Sequence, residues 1–156
     1  MKYFTPDLWI NIHNEDKEIS CNAASEWGEN NERYKIQFSK VAQKFTKNFL
    51  KTYEQNDFFH DWYINSYSFI NTIDKKNDCF TIYVSNEILE YQIIFYDVKN
   101  LIVNFHPEKD FALYKKDQYS YDEWELTETG MLHYELLQLS LSTIELTCSH
   151  VRIIKC

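Results

Sequence analysis

Phe58 to Tyr67 reads FFHDWYINSY. Before this stretch, apolar residues recur every three to four positions. From Trp62 onward they recur every two. The stretch is therefore a junction between a helical part, residues 1–56, and a sheet part, residues 57–156, of one domain spanning 1–156. Helices first and consecutive strands after is the α+β pattern. Short loops join the strands, so the sheet is expected to be antiparallel.

Upstream, FTPDLWINI carries a helix-start signature. Thr5 caps, Pro6 suits the first helical position and Asp7 complements the dipole, which predicts a short helix from Pro6 to His13. A longer helical region runs from Glu15 to Glu54, with an interruption expected at Gly28 and ENNER. Its clearest part is Glu32–Tyr53. There Phe38, Val41, Ala42, Phe45, Phe49 and Tyr53 build an apolar stripe. Lys40, Lys44, Lys47 and Lys51 project from the opposite side. That stripe is able to bind phosphate or an acidic partner, but reads rather as a solvated face, or as an answer to acidic residues of this chain or of a neighbouring copy.

Downstream, CFTIYVSN places Phe80, Ile82 and Val84 on one face, and ILEYQIIFY does the same for Leu89, Tyr91, Ile93 and Phe95. Asn86-Glu87 is the turn between them, and DKKND at 74–78 reads as a hairpin loop. LIVNF at 101–105 is a strand ended by Pro107. LHYELLQLSL and TIELTCSHVRIIKC are two closing strands linked near Ser142, the second with a bulge or bend at Ser149-His150. These readings give about six strands, with the Glu32–Tyr53 helix packed on one face. Residues 108–130 mix aromatics with charge and read as a long loop holding a short strand or turn.

Composition narrows the function classes. The 156 residues carry a net charge of −8, with 17% aromatics and only two glycines and two prolines. Residues 1–56 hold eight Lys/Arg and eight Asp/Glu, whereas residues 57–156 hold eight and sixteen. A nucleic-acid binder needs a positive surface, so the chain is not expected to bind nucleic acid. The acid excess favours solubility and attraction to a basic partner. Cys21, Cys79, Cys148 and Cys156 form no Cys-x-x-Cys pair. The first sixteen residues hold no apolar signal core and no apolar stretch is long enough to span a bilayer, which predicts a cytosolic protein that engages no membrane.

His60-Asp61 is the first candidate for chemistry. Metal-dependent phosphohydrolases of the HD superfamily carry such a doublet, but need further His and Asp ligands on helices, and no such set follows here. Strand neighbours point to opposite faces, so Asp61 is not expected to orient the His60 ring. The doublet reads better as a polar junction that satisfies loose backbone groups after a helix. His13, His106, His133 and His150 form no spaced ligand set, so no metal or cofactor is implied. His106 and His133, at strand positions, are the other weak catalytic candidates, since they are able to converge with His60 and Asp61 across the sheet. No Gly-x-Ser-x-Gly elbow and no Gly-rich phosphate loop exist. Cys79 and Cys148 read as packed thiols.

DQYSYDEWELTE at 117–128 is the most suggestive stretch. Asp117, Asp122, Glu123, Glu125 and Glu128 alternate with Tyr119, Tyr121 and Trp124. Tyr and Trp supply rigid contact area at hot spots, and carboxylates around them steer a basic partner. The plainer reading is an acidic surface loop whose aromatics pin it to the core.

The opening MKYFTPDLW, the FHDWYI junction and the hairpin strands resemble an uncharacterised family of small bacterial proteins, a domain of unknown function. Those proteins start with a similar Met-Lys-aromatic-Phe-Thr segment and carry a His-Asp doublet before the sheet. The resemblance covers most of the chain. It implies a bacterial cytosolic domain with helices before strands, and carries no catalytic residue to His60, Asp61 or any other position. The first functional expectation is an acidic protein-binding module that engages a basic partner through 117–128, similar in size and charge to toxin-immunity proteins. An alternative is a homo-oligomeric structural domain, with Tyr83 and Tyr96 on the packed second face. The other alternative is a hydrolase or metal enzyme built around His60, Asp61, His106 and His133.

Overall fold

A computed structural model describes residues 1–71, 78–106 and 117–156. Three helices precede eight strands: α1 (Pro6–Ile12), α2 (Lys17–Val41), α3 (Lys47–Gln55), β1 (Trp62–Ile70), β2 (Cys79–Ser85), β3 (Glu90–Tyr96), β4 (Asn100–Asn104), β5 (Asp117–Leu126), β6 (Leu132–Gln138), β7 (Thr143–Cys148) and β8 (His150–Lys155). Most of DKKND, together with Pro107 and residues 108–116, lies outside the described residues.

The helix caps follow the local chemistry. Thr5 Oγ1 accepts from the Leu8 N–H, and Asp16 from those of Glu18 and Ile19. The interruption expected at Gly28 is not there: α2 runs straight through it. One glycine costs a helix only about 1 kcal/mol, and the packing of Trp27, Asn30 and Tyr34 around it outweighs that. The break falls instead at 42–46, inside the expected Glu32–Tyr53 helix. A short 3-10 turn covers Ala42–Lys44, Phe45 is extended, and Thr46 caps α3 by accepting from the Phe49 N–H at 3.1 Å. The apolar stripe survives the break, with Val41, Phe49 and Tyr53 buried, while the four lysines stay exposed.

The sheet is antiparallel throughout, in the order β4-β7-β6-β5-β1-β2-β3-β8. It has eight strands rather than about six, for two reasons. The stretch 143–156 is two strands separated by a bend at Ser149, and residues 117–126 form a full ten-residue strand where a long loop holding only a short strand or turn was expected. The bend at Ser149 and another at Asp97, between β3 and β4, join the two ends of the sheet. β3 pairs with β8 and β4 with β7, while the Ser149 N–H donates to Tyr96 O at 3.0 Å and the Lys99 N–H to Thr147 O at 2.8 Å. The sheet thus curls until its ends share one bent ladder. Its inner face closes on a common core, where the Phe95 ring of β3 lies 4.8 Å from Tyr134 of β6 and 6.0 Å from Trp124 of β5. α2 packs on β5 and α3 on β8. No described helix is long and apolar enough to cross a membrane.

Candidate functional site

β1 and β5 pair only from Trp62–Tyr119 to Ile64–Asp117, so β5 continues well past the start of β1. Among the described residues, no strand covers that continuation on the β1 side. The gap is filled by the N-terminal segment, α2 and the turn leading into β1. The Asp61 N–H donates to Tyr119 O at 2.9 Å, and the Trp124 N–H finds the Tyr34 hydroxyl at 2.8 Å instead of a neighbouring strand. A cleft of about 390 Å³ remains between these elements. Its rings touch in sequence. Phe58 meets Phe38 at 6.4 Å, Phe38 meets Tyr34 at 6.0 Å and Tyr34 meets Phe4 at 5.5 Å. Phe4 then stacks on Tyr121 at 5.3 Å, and Tyr121 takes the edge of His60 at 4.6 Å. The Phe58–His60 backbone closes the belt. Tyr53 and Asp122 form the buried floor, and Asp57 lies exposed at the rim.

The turn that closes the belt is strained. Asp57, Phe58, Phe59 and Asp61 have φ of 49°, 56°, 61° and 63°. Each non-glycine residue in this left-handed region costs on the order of 1 kcal/mol or more. Phe59 offsets the cost: it is fully buried, 5.1 Å from Trp62 and 5.7 Å from Tyr91. The left-handed turn also projects Phe58 over the cleft, 5.0 Å from Tyr53.

β5 carries the polar floor. A bulge at Ser120 shifts its phase, so that Tyr119 joins Asp122 and Trp124 on the core side. Asp122 accepts from the Tyr119 hydroxyl, from Tyr53 at 2.5 Å and from Trp124 Nε1 at 3.1 Å. Burial raises its carboxyl to about 6, against the lowering effect of those three bonds. Burial, and then the Asp122 charge, push the Tyr53 and Tyr119 phenols well up, so both remain donors. On the other side of β5, Glu123 is buried and accepts three backbone N–H groups, from Lys2, Tyr3 and Phe4, each at 2.7 Å. Those bonds hold Phe4 in the belt. They also resolve the like-charged cross-strand pair Glu123–Glu135, since the Met1 nitrogen contacts Glu135.

The structure redistributes the residues singled out in the sequence. Residues 117–126 of the 117–128 stretch form a central strand rather than a loop. Tyr119, Asp122, Glu123 and Trp124 are buried and engaged in internal hydrogen bonds, and of these four only Asp122 lines the cleft. Asp117 is tied to Ser140, whose N–H it accepts at 3.0 Å. Tyr121 and Glu125 are half-buried and Glu128 is exposed. His60 Nδ1 does reach Asp61 Oδ2, at 3.1 Å. Asp61 is not in a strand, and its left-handed backbone breaks the expected alternation. The loose carbonyl of α3 is met not by the doublet but by Asn56 Nδ2, which donates to Thr52 O at 2.6 Å. His106 and His133 do not converge on His60. The His106 N–H donates to Ser142 Oγ at 3.3 Å, and His133 Nε2 is 3.9 Å from Glu135 Oε2. Among the described residues, no group of three His, Cys, Asp or Glu side chains is placed to hold a metal. Tyr83 is half-buried, and Tyr96 stacks on His150 at 4.5 Å.

Phe4, Tyr34, Phe38, Tyr53 and Phe58 belong to the site although their spacing marks only core packing. The signal for them is indirect: aromatic side chains crowd both flanks of the junction. No protein-family model matches the chain, and no curated protein matches its sequence.

Proposed function

We propose that the protein is an acidic binding domain for a basic polypeptide partner, and that the partner's basic side chain enters the aromatic cleft. One observation carries the reading: a near-continuous belt of rings surrounds a cleft with a buried carboxylate, Asp122, in its floor and Asp57 at its rim. Concave, mostly apolar pockets with a few convergent polar groups are the usual form of a binding site. A net charge of −8 draws basic molecules toward it. The contact surface is thereby moved from 117–128 as a whole to Tyr121 and its neighbours in the cleft.

The test is retention of proteins from a lysate of the native organism on the wild type and on Tyr121→Trp, which fills the cleft. A basic protein is expected on the wild type at low salt, weakened at high salt as screening demands, and lost on the variant. Equal retention on both proteins would remove the cleft from the reading; no basic protein at either salt would remove the partner.

The His60–Asp61 contact favours a second reading, hydrolysis. With Asp61 accepting from Nδ1–H, Nε2 is left as the base in a cleft that also holds Ser120. Ester and phosphoester substrates cleaved by the wild type but not by His60→Gln would support it. Equal rates, or no turnover by either, would exclude it.

A further inference from the structure

Resting on that reading of the cleft, we infer that the group it takes is an alkylated ammonium, carried on a methylated lysine of the basic partner. Three features of the belt lead there. Ring faces attract cations, and most strongly those that shed little water on leaving solvent. The belt presents five carbocyclic rings, from Phe58 round to Tyr121, with His60 completing it.

The Asp122 carboxylate and the Tyr53 and Tyr34 hydroxyls are already engaged. The Tyr53 hydroxyl donates to both Asp122 oxygens at 2.5 Å. Trp124 Nε1 donates to Asp122, and the Tyr34 hydroxyl accepts from the Trp124 N–H. Lys35 Nζ sits on Glu32 at 2.7 Å, and His60 Nδ1 on Asp61 at 3.1 Å. A bare lysine ammonium carries three N–H donors and a guanidinium five, and each donor would give up water over a buried floor whose Asp122 acceptors are spent. A trimethylated ammonium brings the charge with no donor to satisfy.

The fixed charges have the right sign. Asp122 lies beneath the belt and Asp57 at its mouth, while the Lys35 charge is neutralised by Glu32. The Tyr121 phenol is pushed up, first by burial and then by the charges of Asp61 and Asp57, so their negative potential reaches the ring at the opening.

The experiment is calorimetric titration of the full chain with four probes. These are a short peptide carrying trimethyl-lysine, the same peptide with unmodified lysine, choline, and 3,3-dimethylbutan-1-ol, the neutral isostere of choline. The trimethyl-lysine peptide is expected to bind roughly ten-fold or more tighter than the unmodified one, and choline to exceed its isostere by a similar factor. Tyr121→Leu is expected to lose the preference. Asp57→Asn should weaken it with the fold intact, because Asn tolerates the left-handed backbone there. Equal binding of choline and its isostere overturns the ammonium but leaves the cleft as a binding site. Equal binding of the two peptides overturns the methylated lysine but leaves a basic partner. Choline without either peptide makes the ligand a free small cation and overturns the polypeptide source. Binding of none of the four overturns the inference, and the lysate experiment then decides the underlying reading by itself.

Discussion

Glu123 shows how much one side chain settles in this protein. Its carboxylate is buried and accepts the N–H groups of Lys2, Tyr3 and Phe4. Hydrogen bonds to a charged group are worth roughly 1.5–3 kcal/mol each, and an unpaired buried donor costs about as much. Glu123→Gln turns one acceptor oxygen into a donor facing backbone donors. It is expected to destabilise by about 2 kcal/mol or more in urea unfolding and to loosen residues 1–5 in hydrogen exchange. An unchanged urea midpoint would show that the anchor is dispensable. Its neighbour Asp122 behaves differently. Burial raises its carboxyl from 3.8 to about 6 in the folded protein, while in the unfolded chain it stays near ~3.9. The folded state therefore holds this proton more tightly. The stabilisation is fully present below about pH 4 and is lost as pH rises through about 6, amounting to about 3 kcal/mol at most. The wild type should lose stability relative to Asp122→Asn between pH 4 and pH 7. Parallel urea midpoints across that range would exclude Asp122 as the titrating group.

Helix α2 and the turn before β1 make opposite use of local preference. α2 tolerates Gly28 in its interior, where an added Cβ would meet nothing within 4 Å. Gly28→Ala is expected to raise stability by about 0.5–1 kcal/mol, read as a higher melting temperature, because Ala restricts the unfolded chain and favours the helix. A lowered melting temperature would mean that the helix is kinked there in solution. The turn over Asp57–Asp61 keeps an unfavourable backbone because Phe59 needs it to reach the core. Asp61 has φ 63° and an exposed side chain. Asp61→Gly is expected to be neutral or stabilising by up to about 1 kcal/mol, and Asp61→Val to cost about 1–2 kcal/mol. Equal melting temperatures for the two variants would show that the left-handed conformation is absent.

Closure of the sheet is a property of the whole chain. β8 pairs with β3 and delivers Val151 and Ile153 to the core, while β7 carries Ile144, Leu146 and Cys148 to the same core. The two strands are one sequence run bent at Ser149, so each stabilises what the other closes. Deleting residues 149–156 leaves β3 unpaired on that side and opens the core. The shortened chain is expected to lose its cooperative thermal transition. A transition retained within a few degrees would show that the closing ladder is peripheral. The cleft depends on the same closure, because the curl carries Trp124 and Asp122 of β5 against Phe49 and Tyr53 of α3.

Periodicity determined the placing of helices before strands and the buried faces of β2 and β3, and the short loops between strands determined the antiparallel sense. Those features depend on short-range patterning: Phe80, Ile82 and Val84 alternate because the strand itself alternates. The Thr5 cap and the Ser149 bend were legible for the same reason. What lay beyond the sequence was whatever required a partner distant along the chain. β5 looks like an acidic loop because its polar residues are satisfied by Tyr53, Tyr34 and the backbone of residues 2–4, which local composition does not reveal. The Ser120 bulge then shifts its phase and hides the remaining alternation. His60 and Asp61 were visible as a pair, but their contact hangs on a positive φ that only the burial of Phe59 sustains. The cleft itself joins residues 4, 34, 38, 58 and 121, and tertiary packing alone brings them to one place.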